Sequence, residues 1–89
     1  MQFAVYADLP RLLSSEERSA IFEALEANVP GSGCVGLLAN SSQTDEVYFV
    51  VVALSEAEAM AKATHYASIV LSEAGVNEKH KIFVNQIHS

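Results

Sequence analysis

The sequence predicts an α+β domain whose elements follow the order strand, helix, strand, strand, helix, strand. Two Ser-x-x-Glu motifs, which begin at Ser14 and Ser55, each precede a stretch with helical spacing of apolar residues and so indicate two helix starts. Four runs rich in β-branched and aromatic residues lie around these helices, and proline, glycine or small polar residues separate them. The chain therefore contains the same strand, helix, strand pattern twice, once in each half.

The first half begins with a predicted strand over residues 2–9, where one parity is apolar throughout and Pro10 follows as the terminator. The capping box of Ser14 with Glu17 then predicts a helix over residues 15–28, since these two side chains satisfy backbone amides that a first helical turn leaves unpaired. A proline-glycine segment ends this helix. Its predicted buried stripe consists of Ile21, Phe22, Leu25 and Val29.

The second half contains the strongest strand signal of the chain, at residues 46–54, where β-branched and aromatic residues fill both parities. A shorter strand is predicted before it, over residues 34–39, and a polar connection of residues 40–45 joins the two. A second helix is predicted over about 55–74, where a glycine ends it, and a last strand over 81–88. The predicted inner face of this helix consists of Met60, Ala63, Thr64, Ala67, Val70, Leu71 and Ala74.

Right-handed crossover connections convert this doubled pattern into a four-stranded antiparallel sheet with strand order 4-1-3-2 and both helices on one face. That arrangement is the ferredoxin-like fold, a name that describes topology only. All 89 residues are expected to form a single domain. Because Cys34 is the only cysteine, no internal disulfide can form, and so short a chain gains stability by burying surface against a second copy.

The composition excludes several classes of protein. Hydrophobic residues make up 51% of the chain, too many for a disordered segment, while the longest apolar run, residues 47–54, is too short to cross a bilayer. The net charge of −6 disfavours nucleic acid as a partner. Residues 1–10 lack the basic start and continuous apolar segment of a signal peptide, so we expect a cytoplasmic protein without membrane association.

One face of the predicted sheet has no helix over it and nevertheless carries apolar residues. If Phe3, Val5 and Ala7 face the helices, the other parity of each strand faces water, where polar residues are expected. For the third strand the sequence leaves open whether the parity of Tyr48 or that of Val47 lies on this face. An apolar patch of that size indicates a partner surface or a ligand site. The predicted ligand or dimer face consists of Tyr6, Leu38, Tyr48, Val50, Val52, Phe83, Asn85 and Ile87.

Three further patterns carry chemistry in other proteins, and each has a simpler explanation in this chain. Residues 31–36 match G-x-G-x-x-G, but they follow a helix and precede a strand, whereas a dinucleotide site needs the reverse order. The three histidines, His65, His80 and His88, have no cysteine or carboxylate at ligand spacing, so no metal is expected. Cys34 starts an apolar strand, where a free cysteine behaves as a small apolar side chain. No cofactor is predicted.

The absence of a coherent catalytic set favours a small cytoplasmic, non-enzymatic homodimeric module that binds a small apolar ligand or a protein partner through the open sheet face. The alternative is a cofactor-independent enzyme that resembles the dimeric α+β barrels, in which two such sheets enclose an apolar cavity. The groups that would then act on an organic substrate are His65, as a general base, together with Tyr6, Tyr48 and Asn85. An enclosed cavity of about 300 Å³ or more would distinguish the enzyme from a closely packed dimer.

Overall fold

The strands and helices occur in the predicted order. A computed structural model describes residues 1–31, 33–37 and 44–87 of the chain. Its elements are β1 (Gln2–Asp8), α1 (Ser15–Asn28), β2 (Gly33–Leu37), β3 (Asp45–Val52), α2 (Glu56–Glu73) and β4 (Lys81–Ile87). The strands form one sheet in the order β2-β3-β1-β4, and each neighbouring pair is antiparallel. This is the predicted order counted from the opposite edge, so the α+β class, the antiparallel sheet and the strand order are confirmed.

Helix α1 begins and ends where the sequence predicts, and its capping box is present. The Ser14 hydroxyl accepts a hydrogen bond from the Glu17 amide at 3.1 Å, and the Glu17 carboxylate accepts one from the Ser14 amide at 2.9 Å. The predicted buried stripe is wrong at Phe22, which is 45% exposed, whereas Ile21 and Leu25 are buried. The helix is rotated so that Ile21 faces the core, and at about 100° per residue this rotation turns Phe22 toward solvent.

Helix α2 packs against the sheet through small residues. The prediction is wrong at Met60 and Thr64, which are exposed, because the helix is rotated toward its alanines and these allow a closer approach to the sheet. Of the capping box predicted at Ser55 and Glu58, the structure gives one hydrogen bond, in which the Ser55 hydroxyl accepts from the Glu58 amide at 3.2 Å. Gly75 follows the helix in the left-handed conformation, with φ of +74°. The buried residues of α2 are Ala59, Ala63, Ala67, Val70 and Leu71.

One parity of the two central strands faces both helices and forms the core. Val5 of β1 is the register partner of Phe49 of β3, and both side chains are fully buried. The prediction that Phe3, Val5 and Ala7 face the helices is confirmed, and the parity of Val47 joins them. The parity of Tyr48 therefore lies on the other face of the sheet. The buried cluster contains Phe3, Val5, Ala7, Val47, Phe49 and Val51 from these strands, packed with Ile21 and Leu25 of α1 and the alanines of α2.

A buried carboxylate joins the start of β3 to the segment between β1 and α1. Asp45 has no exposed surface, although the sequence predicts it at the end of a polar connection, of which residues 40–43 lie outside the described residues. Its carboxylate accepts hydrogen bonds from the Leu13 amide at 2.6 Å and from the Arg18 guanidinium at 2.8 Å. Because a buried charge is tolerated only when it is paired, these contacts fix the segment before α1 against the sheet.

Arg11 connects the start of α1 with the segment before β4. Its guanidinium contacts the Glu17 carboxylate at 2.6 Å and donates from Nε to Glu78 at 2.7 Å. The hydrogen bonds from Arg11 are the main reason that the pKa of Glu17 is lowered to about 2, and the Ser14 amide adds to this effect. Since these groups are partly exposed, the pairs orient the segment more than they stabilise the fold.

Candidate functional site

The face of the sheet that lies away from the helices, here called the open face, carries four aligned rows of residues. Within the described parts of the strands, charged residues occur in only one of these rows, the one at the end of β1 and the start of β4. The other three rows contain aromatic, aliphatic and neutral polar residues. The rows, each read across the sheet toward β4, are Gly36, Glu46, Asp8 and Lys81; Cys34, Tyr48, Tyr6 and Phe83; Val50, Ala4 and Asn85; and Val52, Gln2 and Ile87.

The second of these rows is mainly aromatic. The rings of Tyr6 and Tyr48 lie 5.2 Å apart between centroids and are tilted by 56°. Phe83 is the register partner of Tyr6 on its other side and is 48% exposed. At the far end of the face, Val52 is 62% exposed and Ile87 is 38% exposed. Exposed apolar side chains in two rows of one sheet face form a surface that water solvates poorly.

The structure brings most of the predicted site residues together. Leu38 lies outside the described residues. His65 is an exposed residue of α2, with its ring 5.8 Å from that of Tyr66, and α2 lies on the opposite side of the sheet from the open face. The predicted enzymatic set is therefore divided between the two sides of a protomer. The predicted residues that share the open face are Tyr6, Tyr48, Val50, Val52, Phe83, Asn85 and Ile87.

Two carboxyl groups lie side by side at the charged end of the open face. Asp8 and Glu46 are register partners on β1 and β3. Burial raises the pKa of Glu46 to about 7, and the hydrogen bond with Asp8 and its negative charge add to this effect. The Asp8 Oδ1 atom is buried and has no hydrogen-bond partner within the described residues. The Glu46 carboxyl group therefore keeps its proton to a higher pH than an ordinary glutamate does.

This carboxyl pair is not among the predicted site residues, because its members come from different halves of the chain. The available signal was parity, since Asp8 lies two residues after Tyr6 and Glu46 two residues before Tyr48. In antiparallel neighbours these offsets place the two carboxyl groups in one row once Tyr6 and Tyr48 are register partners, as they are in the structure.

A cleft of about 570 Å³ adjoins the charged row, at the end of the sheet where β1 leaves and β4 begins. One wall is apolar, while two lysines and a histidine contribute polar groups. The Nδ1 atom of His80 is buried and has no hydrogen-bond partner in the described part of the chain. A cleft of this size is large enough for a small organic molecule. Its lining residues are Asp8, Leu9, Pro10, Lys79, His80 and Lys81.

The described glycines of residues 31–36 lie after α1 and within β2. Gly31 follows α1 with φ of +99°, and Gly33 is the first residue of β2. A Cβ atom on Gly33 would lie 2.9 Å from the carbonyl oxygen of Tyr48, so this glycine permits the close approach of β2 to β3. Cys34, the next residue, is a free and exposed cysteine.

Within residues 1–31, 33–37 and 44–87, no three side chains of histidine, cysteine, aspartate or glutamate are placed to share a metal ion. The same ranges contain no helix with the length and apolar content to cross a bilayer. Comparisons with protein-family models, with curated proteins and with solved structures found no match to this chain. The structure itself shows a small α+β domain with a largely apolar sheet face on the side away from the two helices.

Proposed function

We propose that this chain is a cytoplasmic homodimeric binding module of ferredoxin-like topology, in which two open faces pack together and hold a small organic ligand. The observation that carries the proposal is the composition of the open face, where three of four rows lack charge. Apolar sheet faces of soluble proteins are normally covered. A second copy of the chain covers the face with a surface of identical chemistry and buries the same patch twice.

The topology is supported by the order of the elements and of the strands. Each half of the chain contributes a strand, a helix and a second strand, and the two halves interleave to give the order β2-β3-β1-β4. Right-handed crossovers between β1 and β2 and between β3 and β4 would place both helices on one side, where the shared core lies. The free thiol of Cys34 fits a reducing compartment such as the cytoplasm.

The dimensions of the open face reach the minimum area of a specific protein interface. Strands β1 and β4 have seven residues each, so the face is about 23 Å long, and four strands make it about 19 Å wide. Two such faces in contact cover roughly 900 Å² in projection, and the relief of the side chains raises the buried accessible area above about 1,000 Å². That area is in the range at which specific interfaces begin.

The test is the native mass in solution, measured by light scattering over an approximately hundredfold dilution series. We expect the unchanged protein to have the mass of two chains. Phe83→Asp places a carboxylate in the aromatic row and is expected to give the mass of one chain, because an unpaired charge in a buried interface is strongly unfavourable. Phe22→Asp is the matched control, since Phe22 is similarly exposed but lies on α1.

Two results would contradict the dimer. One is a monomeric mass for the unchanged protein at every concentration. The other is a dimeric mass for Phe83→Asp with unchanged thermal stability, because the aromatic row would then lie outside the interface.

The second candidate function is a cofactor-independent enzyme of the dimeric α+β barrel type, and the Asp8 and Glu46 pair is the observation that favours it. A carboxyl group with a pKa of about 7 can both accept and donate a proton at neutral pH. Tyr6 and Tyr48 lie in the adjacent row. Mass spectrometry of a ligand after incubation with the protein separates the two functions. A binding module returns the ligand unchanged, whereas an enzyme converts it and Glu46→Gln stops the conversion.

A further inference from the structure

The charged groups that the structure describes on the open face all lie in one row, which contains two carboxyl groups and one lysine. The row consists of Gly36, Glu46, Asp8 and Lys81. Lys81 is the register partner of Asp8, whereas the partner of Glu46 on its other side is a glycine without a side chain. The lysine therefore balances the charge of one carboxylate, and a second carboxylate gives the row one net negative charge.

The backbone pairing brings the two carboxyl groups together. The Leu9 amide donates to the Asp45 carbonyl oxygen at 2.9 Å, so the next pair along the strands, Asp8 with Glu46, is a non-hydrogen-bonded pair of the antiparallel ladder. Side chains lie closest in such pairs, and like charges that face each other there are destabilising. The two side chains are hydrogen-bonded to each other. A hydrogen bond between two carboxyl groups requires a proton on one of them.

Within the described residues, the one cation on the open face lies beside Asp8 and not beside Glu46. Behind the sheet, Asp45 is already paired with Arg18 of α1 at 2.8 Å. The other groups near the pair that carry or can gain a charge are the phenols of Tyr6 and Tyr48 and the thiol of Cys34 in the adjacent row, with Lys79 and His80 in the cleft that Asp8 lines. A proton on Glu46 is therefore the direct means of neutralising this row.

A second copy on the open face would remove the remaining water from the charged row. Leaving this row out of the interface would subtract about a quarter of the roughly 900 Å² that two faces cover, and the interface would then fall below the area of a specific one. Glu46 and Asp8 are partly exposed in one protomer. Burial disfavours the charged form of a carboxyl group, and two faces with one net negative charge each repel one another. A proton on Glu46 removes both costs.

We infer that dimerisation is linked to proton uptake, so that each copy carries a proton on Glu46 when the two open faces are in contact and the copies separate as the pH rises. In the dimer the protonated Glu46 donates to the Asp8 carboxylate, and Lys81 balances the charge of Asp8. The proton comes from solvent and returns to it on dissociation. This inference rests on the proposed homodimer and adds its regulation.

The test is the dimer dissociation constant, measured by sedimentation equilibrium at pH 6 and at pH 8 at one ionic strength. The pKa of Glu46 is about 7, so at pH 8 roughly nine protomers in ten have lost this proton. Restoring the proton weakens association by about tenfold for each copy and about a hundredfold for the dimer. We therefore expect the dissociation constant to be about a hundredfold larger at pH 8 than at pH 6.

Variants assign the effect to Glu46. Glu46→Gln has an uncharged side chain at both pH values, and we expect it to dimerise at pH 8 about as tightly as the unchanged protein does at pH 6. This variant keeps the three histidines of the chain, which titrate in the same range, so the difference from the unchanged protein isolates Glu46. Glu23→Gln is the matched control, since it neutralises an exposed glutamate of α1 and should keep the full pH dependence.

The outcomes separate this inference from the proposed dimer. A dimer whose dissociation constant changes by less than about threefold between pH 6 and pH 8 would overturn the proton linkage and leave the dimer in place. The linkage is also wrong if Glu46→Gln and Glu23→Gln show the same pH dependence. A protein that is monomeric at both pH values would overturn the dimer and the linkage together.

Discussion

Asp45→Ala is expected to lower the free energy of unfolding by about 3 kcal/mol, although the side chain does not lie on the open face. Asp45 is the one polar side chain in the described residues that is completely buried. Asp45 is the first residue of β3, and its carboxylate accepts hydrogen bonds from the Leu13 amide and the Arg18 side chain. Removing it leaves a buried amide without an acceptor and a cation without its partner.

The magnitude follows from these two losses. An unsatisfied buried amide costs about 1–3 kcal/mol, and Leu13 is buried, so we assign about 2 kcal/mol to it. The pair with Arg18 contributes less than a fully buried pair, because the Arg18 side chain is 38% exposed and regains water, which leaves about 1 kcal/mol. A domain of this length has a total stability of about 5–13 kcal/mol, so the loss is a large fraction of the whole.

Urea unfolding followed by circular dichroism measures the change. The m-value of so small a domain is about 1 kcal/mol per M, so the unfolding midpoint should fall by 2 M or more. Asp45→Asn retains an acceptor for Leu13 and should lose only about half as much. Glu23→Ala, which removes an exposed carboxylate from α1, is the control and should change stability by less than about 0.5 kcal/mol. If Asp45→Ala unfolds at the same urea concentration as this control, the assigned role of the buried carboxylate is refuted.

Two further substitutions test the site and the sheet. The pKa of Glu46 is raised from 4.5 to about 7 in the folded protein, so folding binds an extra proton in this range and stability falls as the pH rises from about 4.5 through 7. The Gln side chain of Glu46→Gln stays uncharged at every pH in this range. We therefore expect Glu46→Gln to be more stable than the unchanged protein by about 1 kcal/mol at pH 8 and equally stable near pH 4, as measured by urea unfolding. A constant difference in stability across this range would contradict the pairing with Asp8. Gly33→Ala places a methyl group 2.9 Å from the Tyr48 carbonyl oxygen and should cost about 2 kcal/mol, which thermal unfolding would detect; an unchanged melting temperature would show that β2 can move without cost.

The elements of this fold were predictable because local signals mark their limits. The Ser14 capping box and Gly75 each act through groups a few residues away in the chain, so the sequence contains the whole interaction. The rotation of the helices was less predictable. Phe22 and Met60 have apolar side chains at plausible helical spacing, but the surface each helix packs against is selected by tertiary contacts, and the alanines of α2 allow a closer approach to the sheet.

The open face was predictable as a class of surface and not as a set of contacts. Parity along a strand identifies which residues share a face, and this is why Tyr6, Tyr48 and Phe83 all occur on the open face. Which residues of neighbouring strands share a row depends on the register between strands from distant parts of the chain. The pairing of Asp8 with Glu46, and the meeting of Lys79 and Lys81 with the end of β1, require that register.

The sheet divides the molecule into a side that stabilises it and a side that is free to bind. The buried cluster, the helix caps and the Asp45 carboxylate all lie on the helical side or at its margin, and substitutions there are expected to reduce stability. Phe83 and Lys81 are exposed residues of the edge strand β4, and their substitution removes few contacts within one protomer. A variant such as Phe83→Asp should therefore fold as well as the unchanged chain if it is monomeric. Its loss of dimerisation would then report on the interface itself, because no loss of the fold would accompany it.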